Sequence, residues 1–282
     1  MGFHIGSLFV AWYGVIIASA MAVAFILGSW LCKKMGYKEA VPYQLLFILV
    51  PLGIACARLY YVIFAEEAFH SFIDVIAIWR GGIAIYGGIL GGALGLLIYT
   101  RIKKCGFFTL TDILVLVLVL AQAIGRWGNF MNILGGRPEA YGIGVKYSVP
   151  PFTVMVHGSP HLSFWLFESI LNFAAFGFLM WFFLKKQKTL GQTTSLYLMI
   201  YGAIRGVLEP IRGADALFIG AKDLIFNRIS FLLSIVVIAL GVVLWYACKN
   251  DKISQNNRNL LEKVEEPKPE DEIAKIINSK KQ

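Results

Sequence analysis

The sequence predicts an all-α integral membrane protein, a bundle of seven transmembrane helices with its amino terminus outside and its carboxyl terminus in the cytoplasm. Three observations support this fold class. Hydrophobic residues make up 58% of the 282 residues and charged residues only 15%, whereas a soluble domain has about half and about a quarter. Apolar stretches of about 20 residues, the length that crosses a bilayer, recur along the chain. Basic residues collect in alternate loops.

The composition also excludes other classes of protein. Aromatic residues make up 14% of the chain, which is unlike a disordered protein. The four cysteines form no CxxC motif or Cys/His cluster, so we expect no disulfide scaffold, metal site or cofactor. The chain has a net charge of +9. Basic residues collect in the cytoplasmic loops of membrane proteins, so this charge does not by itself indicate a nucleic-acid partner. We therefore expect membrane lipids as surroundings and no nucleic acid as partner.

The individual spans can be located from the apolar stretches. The predicted spans are residues 8–31, 42–65, 80–100, 110–131, 162–184, 191–211 and 224–247. Lysine pairs follow the first, third and fifth spans, at Lys33–Lys34, Lys103–Lys104 and Lys185–Lys186. Cytoplasmic loops carry such basic residues, which sets the predicted orientation. Residues 1–248 are thus a multi-pass membrane domain, and the charged residues 249–282 a flexible cytoplasmic tail.

The fourth span ends in an unusual group of polar and small residues. Arg126 and Asn129 are separated by one helical turn and share a helix face if the helix continues. Gly125 and Gly128 leave space beside the guanidinium, and Asn132 follows. A charged side chain within a span is costly and is therefore a functional candidate. The alternative is that the arginine only anchors the helix at the membrane interface.

The sixth span carries a second polar face. Tyr201, Arg205 and Glu209 follow one another at intervals of four residues, which places them on one side of a helix. Pro210 disfavours helical geometry at the residue before it, so we expect the helix to end or kink there. The alternative interpretation is an Arg205–Glu209 ion pair that only stabilises the bundle.

The depths of the two arginines are similar. Arg126 lies roughly 24 Å along its helix from about Leu110, and Arg205 roughly 21 Å from about Gly191. Both are therefore expected in the outer half of the bilayer. Two converging guanidiniums suit phosphate, because each makes bidentate, charge-assisted hydrogen bonds. No Walker-type loop is present, so a nucleotide is not implied.

The third and first spans contain further candidates. Gly87, Gly91 and Gly95 form a stripe of small residues that lets helices approach closely. Tyr86 precedes this stripe, where its hydroxyl either points into a cavity between helices or only packs. Tyr13 lies near the outer end of the first span, where aromatic residues are common.

At these residues the sequence resembles the prolipoprotein diacylglyceryl transferases, a family of seven-span bacterial membrane enzymes. The most specific match is GRWGNFMN at residues 125–132, which fits the family signature GRxGNFxN. Four weaker matches occur in the expected order over residues 1–247. They are WYG at 12–14, ARLYYV at 57–62, IWRGGIAIYGGILGG at 78–92 and YGAIRGVLEPIRGAD at 201–215.

The resemblance implies a reaction. Enzymes of this family transfer the sn-1,2-diacylglyceryl group of phosphatidylglycerol to the lipobox cysteine thiol of a prolipoprotein signal peptide, in the bacterial cytoplasmic membrane. A thioether forms and glycerol phosphate leaves, without a cofactor. The residue pattern agrees, because the charge that develops on a departing phosphate needs fixed cations.

The resemblance also implies residue roles. Arg126 is the phosphatidylglycerol-binding arginine, with Gly125, Gly128, Asn129, Asn132 and Tyr13 at the same binding site. Arg205, Glu209, Tyr201 and Tyr86 are implied to be catalytic.

The chain departs from the family pattern at two places. Tyr86 stands where many members have histidine. The acidic residue and glycine that usually follow the signature are assigned to Glu139 and Gly142, after six intervening residues.

Two other functions fit an intramembrane cluster of Arg, Tyr and Glu. Such residues also line the solute paths of transporters and channels, but no internal repeat is visible. A membrane scaffold could use the same residues only to join its helices. Transfer of labelled lipid to a lipobox peptide distinguishes the three functions.

Overall fold

The architecture is known from a computed structural model. It describes residues 1–6, 8–64, 71–78, 82, 84–104, 106–135, 146–150, 152–156, 158–209 and 229–249. Within these residues the chain forms eight helices and two short hairpins. The helices are α1 (Trp12–Lys34), α2 (Ala40–Phe64), α3 (Phe72–Ile76), α4 (Ile85–Lys103), α5 (Phe107–Leu134), α6 (Phe164–Lys185), α7 (Gln192–Leu208) and α8 (Ile229–Lys249).

The prediction of a mainly helical membrane protein is confirmed. Among the described residues, α1, α2, α5, α6 and α8 are long and apolar enough to cross a bilayer. The two other long helices, α4 and α7, coincide with the third and sixth predicted spans. Helix α3 is a single short turn capped by Ser71, whose hydroxyl accepts a hydrogen bond from the backbone N–H of Asp74.

Two β-hairpins were not predicted. Strands β1 (Gly2–Ile5) and β2 (Leu8–Ala11) pair antiparallel, as do β3 (Thr153–Val156) and β4 (Ser159–Leu162). Gly6 and Gly158 take positive φ angles of 61° and 78° at the turns, a conformation that glycine adopts without a steric penalty. The first four residues of the predicted first span therefore form β2, and the helix begins at Trp12.

The described chain divides into two compact units. The first contains residues 1–28 and helices α5 to α8. Glycines allow close helix contacts within it. A Cβ at residue 241 of α8 would lie 2.9 Å from the carbonyl oxygen of Ser195 in α7, and one at residue 202 would lie 2.8 Å from that of Ser234 in α8. Helix α7 therefore packs along α8, while α5 packs along α6.

The second unit contains residues 29–104, with α2, α3 and α4. Its helices α2 and α4 meet at the predicted glycine stripe. A Cβ at residue 91 would lie 2.7 Å from the Cβ of Cys56, and one at residue 95 would lie 3.4 Å from Cδ2 of Leu52. The glycines thus have the packing role that their spacing predicted.

Arg58 of α2 organises the segment before α4. Its Nε donates to the carbonyl of Val75 at 2.8 Å, its Nη1 to that of Gly82 at 2.7 Å and its Nη2 to that of Asp74 at 2.5 Å. The guanidinium also lies over the ring of Tyr61 at 5.3 Å. Three donors of one planar fork thereby hold α3 and Gly82 against α2.

Candidate functional site

The polar end of α5 is helical throughout. Because the helix continues to Leu134, Arg126 and Asn129 share one helix face, as predicted. The space at Gly128 is taken by Tyr13 of α1, since a Cβ at residue 128 would lie 2.8 Å from Cδ2 of its ring. A Cβ at Gly125 would lie 3.5 Å from Ile17. The glycines therefore bring α1, with the candidate Tyr13, against α5 beside Arg126.

A buried carboxylate joins the two candidate arginines. Oε2 of Glu168 in α6 lies 2.7 Å from Nη1 of Arg126, and Oε1 lies 2.7 Å from Nη1 of Arg205 in α7. Glu168 thus uses a different oxygen for each guanidinium. This contact draws α5, α6 and α7 together at one level, so the predicted convergence of Arg126 and Arg205 is present within the first unit.

The end of α7 adds a second carboxylate. Helix α7 ends at Leu208, and the N–H of Glu209 still donates to the carbonyl of Arg205. Glu209 keeps right-handed helical angles, with φ −59° and ψ −39°, so the expected loss of helical geometry at this residue is not observed, and Pro210 lies outside the described residues. Oε2 of Glu209 lies 3.4 Å from Nη2 of Arg205, which is the ion pair considered as an alternative. This ion pair belongs to a larger cluster of two arginines and two glutamates and is not isolated.

The cations of this cluster are more accessible than its anions. The side chains of Arg126 and Arg205 are 25% and 16% exposed, whereas those of Glu168 and Glu209 are 2% and 0% exposed. The carboxylates therefore lie behind the guanidiniums. An incoming ligand reaches positive charge first, and this favours an anionic ligand.

Aromatic and polar side chains support the cluster. Nε1 of Trp127 donates to the hydroxyl of Ser169 at 3.1 Å, and that hydroxyl donates to the carbonyl of Ala123 at 2.8 Å. Trp165, one turn before Glu168, stacks on Phe130 with ring centroids 4.6 Å apart. These contacts attach α6 to α5 on both sides of the Glu168–Arg126 ion pair.

The predicted catalytic residue Tyr201 lies one turn before Arg205. Its ring stacks on that of Tyr197, with centroids 5.7 Å apart. The amide nitrogen of Gln122 in α5 donates to the Tyr197 hydroxyl at 3.1 Å. Tyr201 is thereby supported from the same face of α5 that carries Arg126.

The remaining candidates are less fully described. Asn129 and Asn132 are partly exposed in the last two turns of α5. Tyr86 lies in the first turn of α4, in the second unit, and its side chain is outside the described residues, as are Glu139 and Gly142. Among the described residues, no group of three His, Cys, Asp or Glu side chains could hold a metal ion.

Sequence reasoning missed Glu168. The residue stands in the apolar stretch FWLFES at 164–169, which resembles the family pattern only loosely. The signal that could have identified it is its charge, because an ionisable residue within a span is a functional candidate by default. Its predicted span, 162–184, contains this one acidic residue.

The long apolar helices, with a cluster of two partly exposed arginines and two buried carboxylates between α5, α6 and α7, define a multi-pass membrane protein with a charged site in its helix bundle. The family model for prolipoprotein diacylglyceryl transferase matches residues 1–247. The chain belongs to this family.

Several curated relatives carry the name phosphatidylglycerol–prolipoprotein diacylglyceryl transferase. The one from Finegoldia magna is 33% identical over 92% of this chain and 99% of its own length. The one from Symbiobacterium thermophilum is 37% identical over 86% of this chain and 91% of its own length. The one from Acaryochloris marina is 38% identical over 86% of this chain and 87% of its own length. The similarity thus extends over most of both chains.

Proposed function

We propose that this protein transfers the sn-1,2-diacylglyceryl group of phosphatidylglycerol to the lipobox cysteine thiol of prolipoprotein signal peptides. Membership of the family and the names of the relatives support this transferase activity and its two substrates. One structural observation supports it further, namely the convergence of Arg126 and Arg205 on Glu168 with both guanidiniums still partly exposed. The family match does not favour the alternative function, that of a transporter or channel.

The proposed chemistry is a displacement at carbon. The cysteine sulfur attacks the glycerol carbon that bears the phosphate, a C–S bond forms, and the C–O bond to phosphate breaks. The electron pair of that bond stays on glycerol phosphate, whose charge increases as it leaves. The proton of the thiol ends on the product phosphate. Catalysis therefore requires stabilisation of a developing phosphate charge.

Arg126 and Arg205 are the residues proposed to provide that stabilisation. A guanidinium offers several N–H donors in a planar fork that matches phosphate. Glu168 accepts a hydrogen bond from Nη1 of Arg205 and forms an ion pair with Nη1 of Arg126, so it holds the two guanidiniums close together before the lipid binds. Such preorganisation avoids a reorganisation cost during the reaction. The carboxylate lies behind the guanidiniums and is not itself presented to the phosphate.

The other site residues receive roles from the family resemblance. We propose that Asn129, Asn132, Gly125, Gly128 and Tyr13 belong to the lipid-binding site around Arg126, together with Glu139 and Gly142. We propose that Tyr201, Glu209 and Tyr86 are catalytic with Arg205. For Tyr86 we propose a hydrogen-bonding hydroxyl rather than an unassisted base, because a phenol with a pKa near 10 is a poor base towards a thiol near 8.5. No cofactor is proposed.

The membrane arrangement proposed is a seven-span bundle in the bacterial cytoplasmic membrane. Helices α4 and α7 are added to the five spanning helices because they are 19 and 17 residues long, or about 28 and 26 Å. Residues 1–248 form the membrane domain, and 249–282 form a cytoplasmic tail. Labelling of Ser254→Cys by an impermeant reagent should require opened cells. Labelling in sealed cells would show that the carboxyl terminus lies outside and would contradict the proposed orientation.

The function is tested by transfer of radiolabelled phosphatidylglycerol to a lipobox peptide. The purified protein should form a labelled thioether product. Arg126→Ala should lower the rate roughly 30- to 1000-fold, because a lost charge-assisted contact in a dry site costs about 2–4 kcal/mol. Arg101→Ala is the matched control, since Arg101 is exposed in the last turn of α4. An inactive wild-type protein would refute the function, whereas a fully active Arg126→Ala would refute only the role of the arginine.

A further inference from the structure

A second polar cluster lies at the opposite ends of the same helices. Asp112 is near the start of α5 and is fully buried. Its Oδ2 accepts from the backbone N–H of Gly191 at 2.7 Å and from Nε2 of Gln187 at 2.6 Å. Its Oδ1 accepts from the N–H and the hydroxyl of Thr194 at 2.8 and 2.6 Å. The proposed chemistry uses none of these groups.

These contacts make Asp112 the cap of another helix. Helix α7 begins at Gln192, and its N-cap residue is Gly191, at a φ of 87°. Glycine has no side chain to accept from the first N–H groups of the helix, a task that Ser, Thr, Asp or Asn usually performs at this position. The carboxylate of Asp112, about 80 residues earlier in the chain, performs it instead. The helix dipole adds to the attraction, since its amino-terminal end is positive.

The cap is well placed to set the register between α5 and α7. Each of these helices packs chiefly along a different neighbour, α5 along α6 and α7 along α8. From Asp112, Arg126 lies 14 residues further along α5, about 21 Å, and from Thr194, Arg205 lies 11 residues further along α7, about 17 Å. A slip of one turn between the helices would move the arginines about 5.4 Å apart along the axis. One carboxylate could then no longer bridge them.

We propose that Asp112 is a positioning residue for the transfer reaction, which caps α7 from α5 and so holds Arg126 and Arg205 at the separation that binds one phosphate. This inference rests on the proposed phosphate-binding role of the arginines. Asp112 contacts neither arginine and is not part of the proposed substrate site. It acts through the register of the two helices that carry them.

A double-mutant cycle tests the inference on the full-length protein, with transfer rates measured per folded molecule. Asp112→Ala should lower the rate about 10- to 100-fold, because misplacement by about 1 Å costs this much. Asp112→Asn keeps one acceptor for Thr194 and should lose less. In the Arg126→Ala background, Asp112→Ala should lower the transfer rate by a further factor of less than about three, because the pair of guanidiniums is already incomplete.

The control is Thr109→Val. Thr109 is 2% exposed in the same turn of α5, and its hydroxyl has no hydrogen-bond partner among the described residues. It should leave the rate unchanged in both backgrounds. If Asp112→Ala does not accumulate, Asp112→Asn and Gln187→Leu are used in the same cycle, because Gln187 is only part-buried.

The outcomes separate the two proposals. Equal losses in both backgrounds would mean that Asp112 acts independently of the arginine pair, and near-wild-type rates per folded molecule for both Asp112 variants would mean that it only stabilises the fold. Either result would overturn the positioning role. A normal rate for Arg126→Ala alone would refute the phosphate-binding role first, and the inference about Asp112 with it.

Discussion

The described arginines of the predicted spans, Arg58, Arg126 and Arg205, lie in two structural environments. Arg58 directs three donors to the backbone carbonyls of Asp74, Val75 and Gly82. Arg126 and Arg205 form ion pairs with side-chain carboxylates, and both converge on Glu168. The first arrangement joins α3 and Gly82 to α2. The second places two cations around one anion and leaves both partly accessible.

The difference shows what identifies a functional arginine in a membrane protein. A charge within a span is costly in all three positions, so cost alone does not distinguish them. The groups that the guanidiniums contact do distinguish the three arginines. Backbone carbonyls belong to the fold and are held by it, whereas a shared carboxylate orients two forks towards a further anion. We therefore expect substitutions in the two environments to have different effects on transfer.

The largest effect is expected at the arginine pair. Arg205→Lys keeps the positive charge but loses the fork that reaches both Glu168 and Glu209. Transfer should fall roughly 10- to 100-fold, because a lysine makes these contacts only as a point charge. The measurement is the rate of labelled-lipid transfer by folded protein. A rate within about twofold of wild type would place Arg205 in the same structural class as Arg58.

We expect the next largest effect from Glu168→Gln, and we expect it on the stability of the protein. The amide keeps one acceptor but loses the charge that holds two guanidiniums, so the free energy of unfolding should fall by about 1–3 kcal/mol. Thermal unfolding and the transfer rate are both measured. Glu209→Gln provides the comparison, because Glu209 faces Arg205 at 3.4 Å and should cost less stability. The reverse order would show that Glu168 does not organise the cluster.

Tyr86→Phe should have a moderate effect on transfer. Loss of one hydrogen-bonding hydroxyl costs about 0.5–1.5 kcal/mol, or about 2- to 12-fold in rate, with no change in thermal unfolding. Tyr86→His should keep part of the activity, since imidazole also donates and accepts hydrogen bonds. Wild-type transfer by Tyr86→Phe would reduce the tyrosine to a packing residue of α4.

Arg58→Lys should have the smallest effect on transfer. Lysine cannot serve three carbonyls with one planar fork, so the protein should unfold at a lower temperature while the rate per folded molecule changes less than about threefold. Hydrogen exchange at Ala84, whose N–H donates to the carbonyl of Ala57, should become faster. A loss of transfer as large as that of Arg205→Lys would erase the distinction between the two environments.

The long helices were predictable because their signals are local. About 20 apolar residues in sequence identify a span. The four-residue strands were not predictable in the same way. Leu8–Ala11 is as apolar as the helix that follows it, so its pairing with Gly2–Ile5 was concealed within the predicted first span.

The site was predictable in part for the same reason. Arg126 and Arg205 are visible as charges in apolar segments, and helix geometry gives their depth. Their shared partner Glu168 is 42 and 37 residues away from them, and Asp112 is 82 residues from Thr194. Contacts of this range depend on how helices pack, which residue spacing within one helix does not encode.

We propose that Arg126 and Arg205 together bind the phosphate of phosphatidylglycerol. The most direct test is the binding of phosphatidylglycerol to the purified protein in nanodiscs of a neutral lipid, compared among wild type, Arg126→Ala, Arg205→Ala and Arg58→Lys. Each loss of a charge-assisted contact should weaken binding by about 10-fold or more. Arg58→Lys should bind as the wild type does. Equal affinity of Arg126→Ala, Arg205→Ala and wild type for phosphatidylglycerol would contradict the claim.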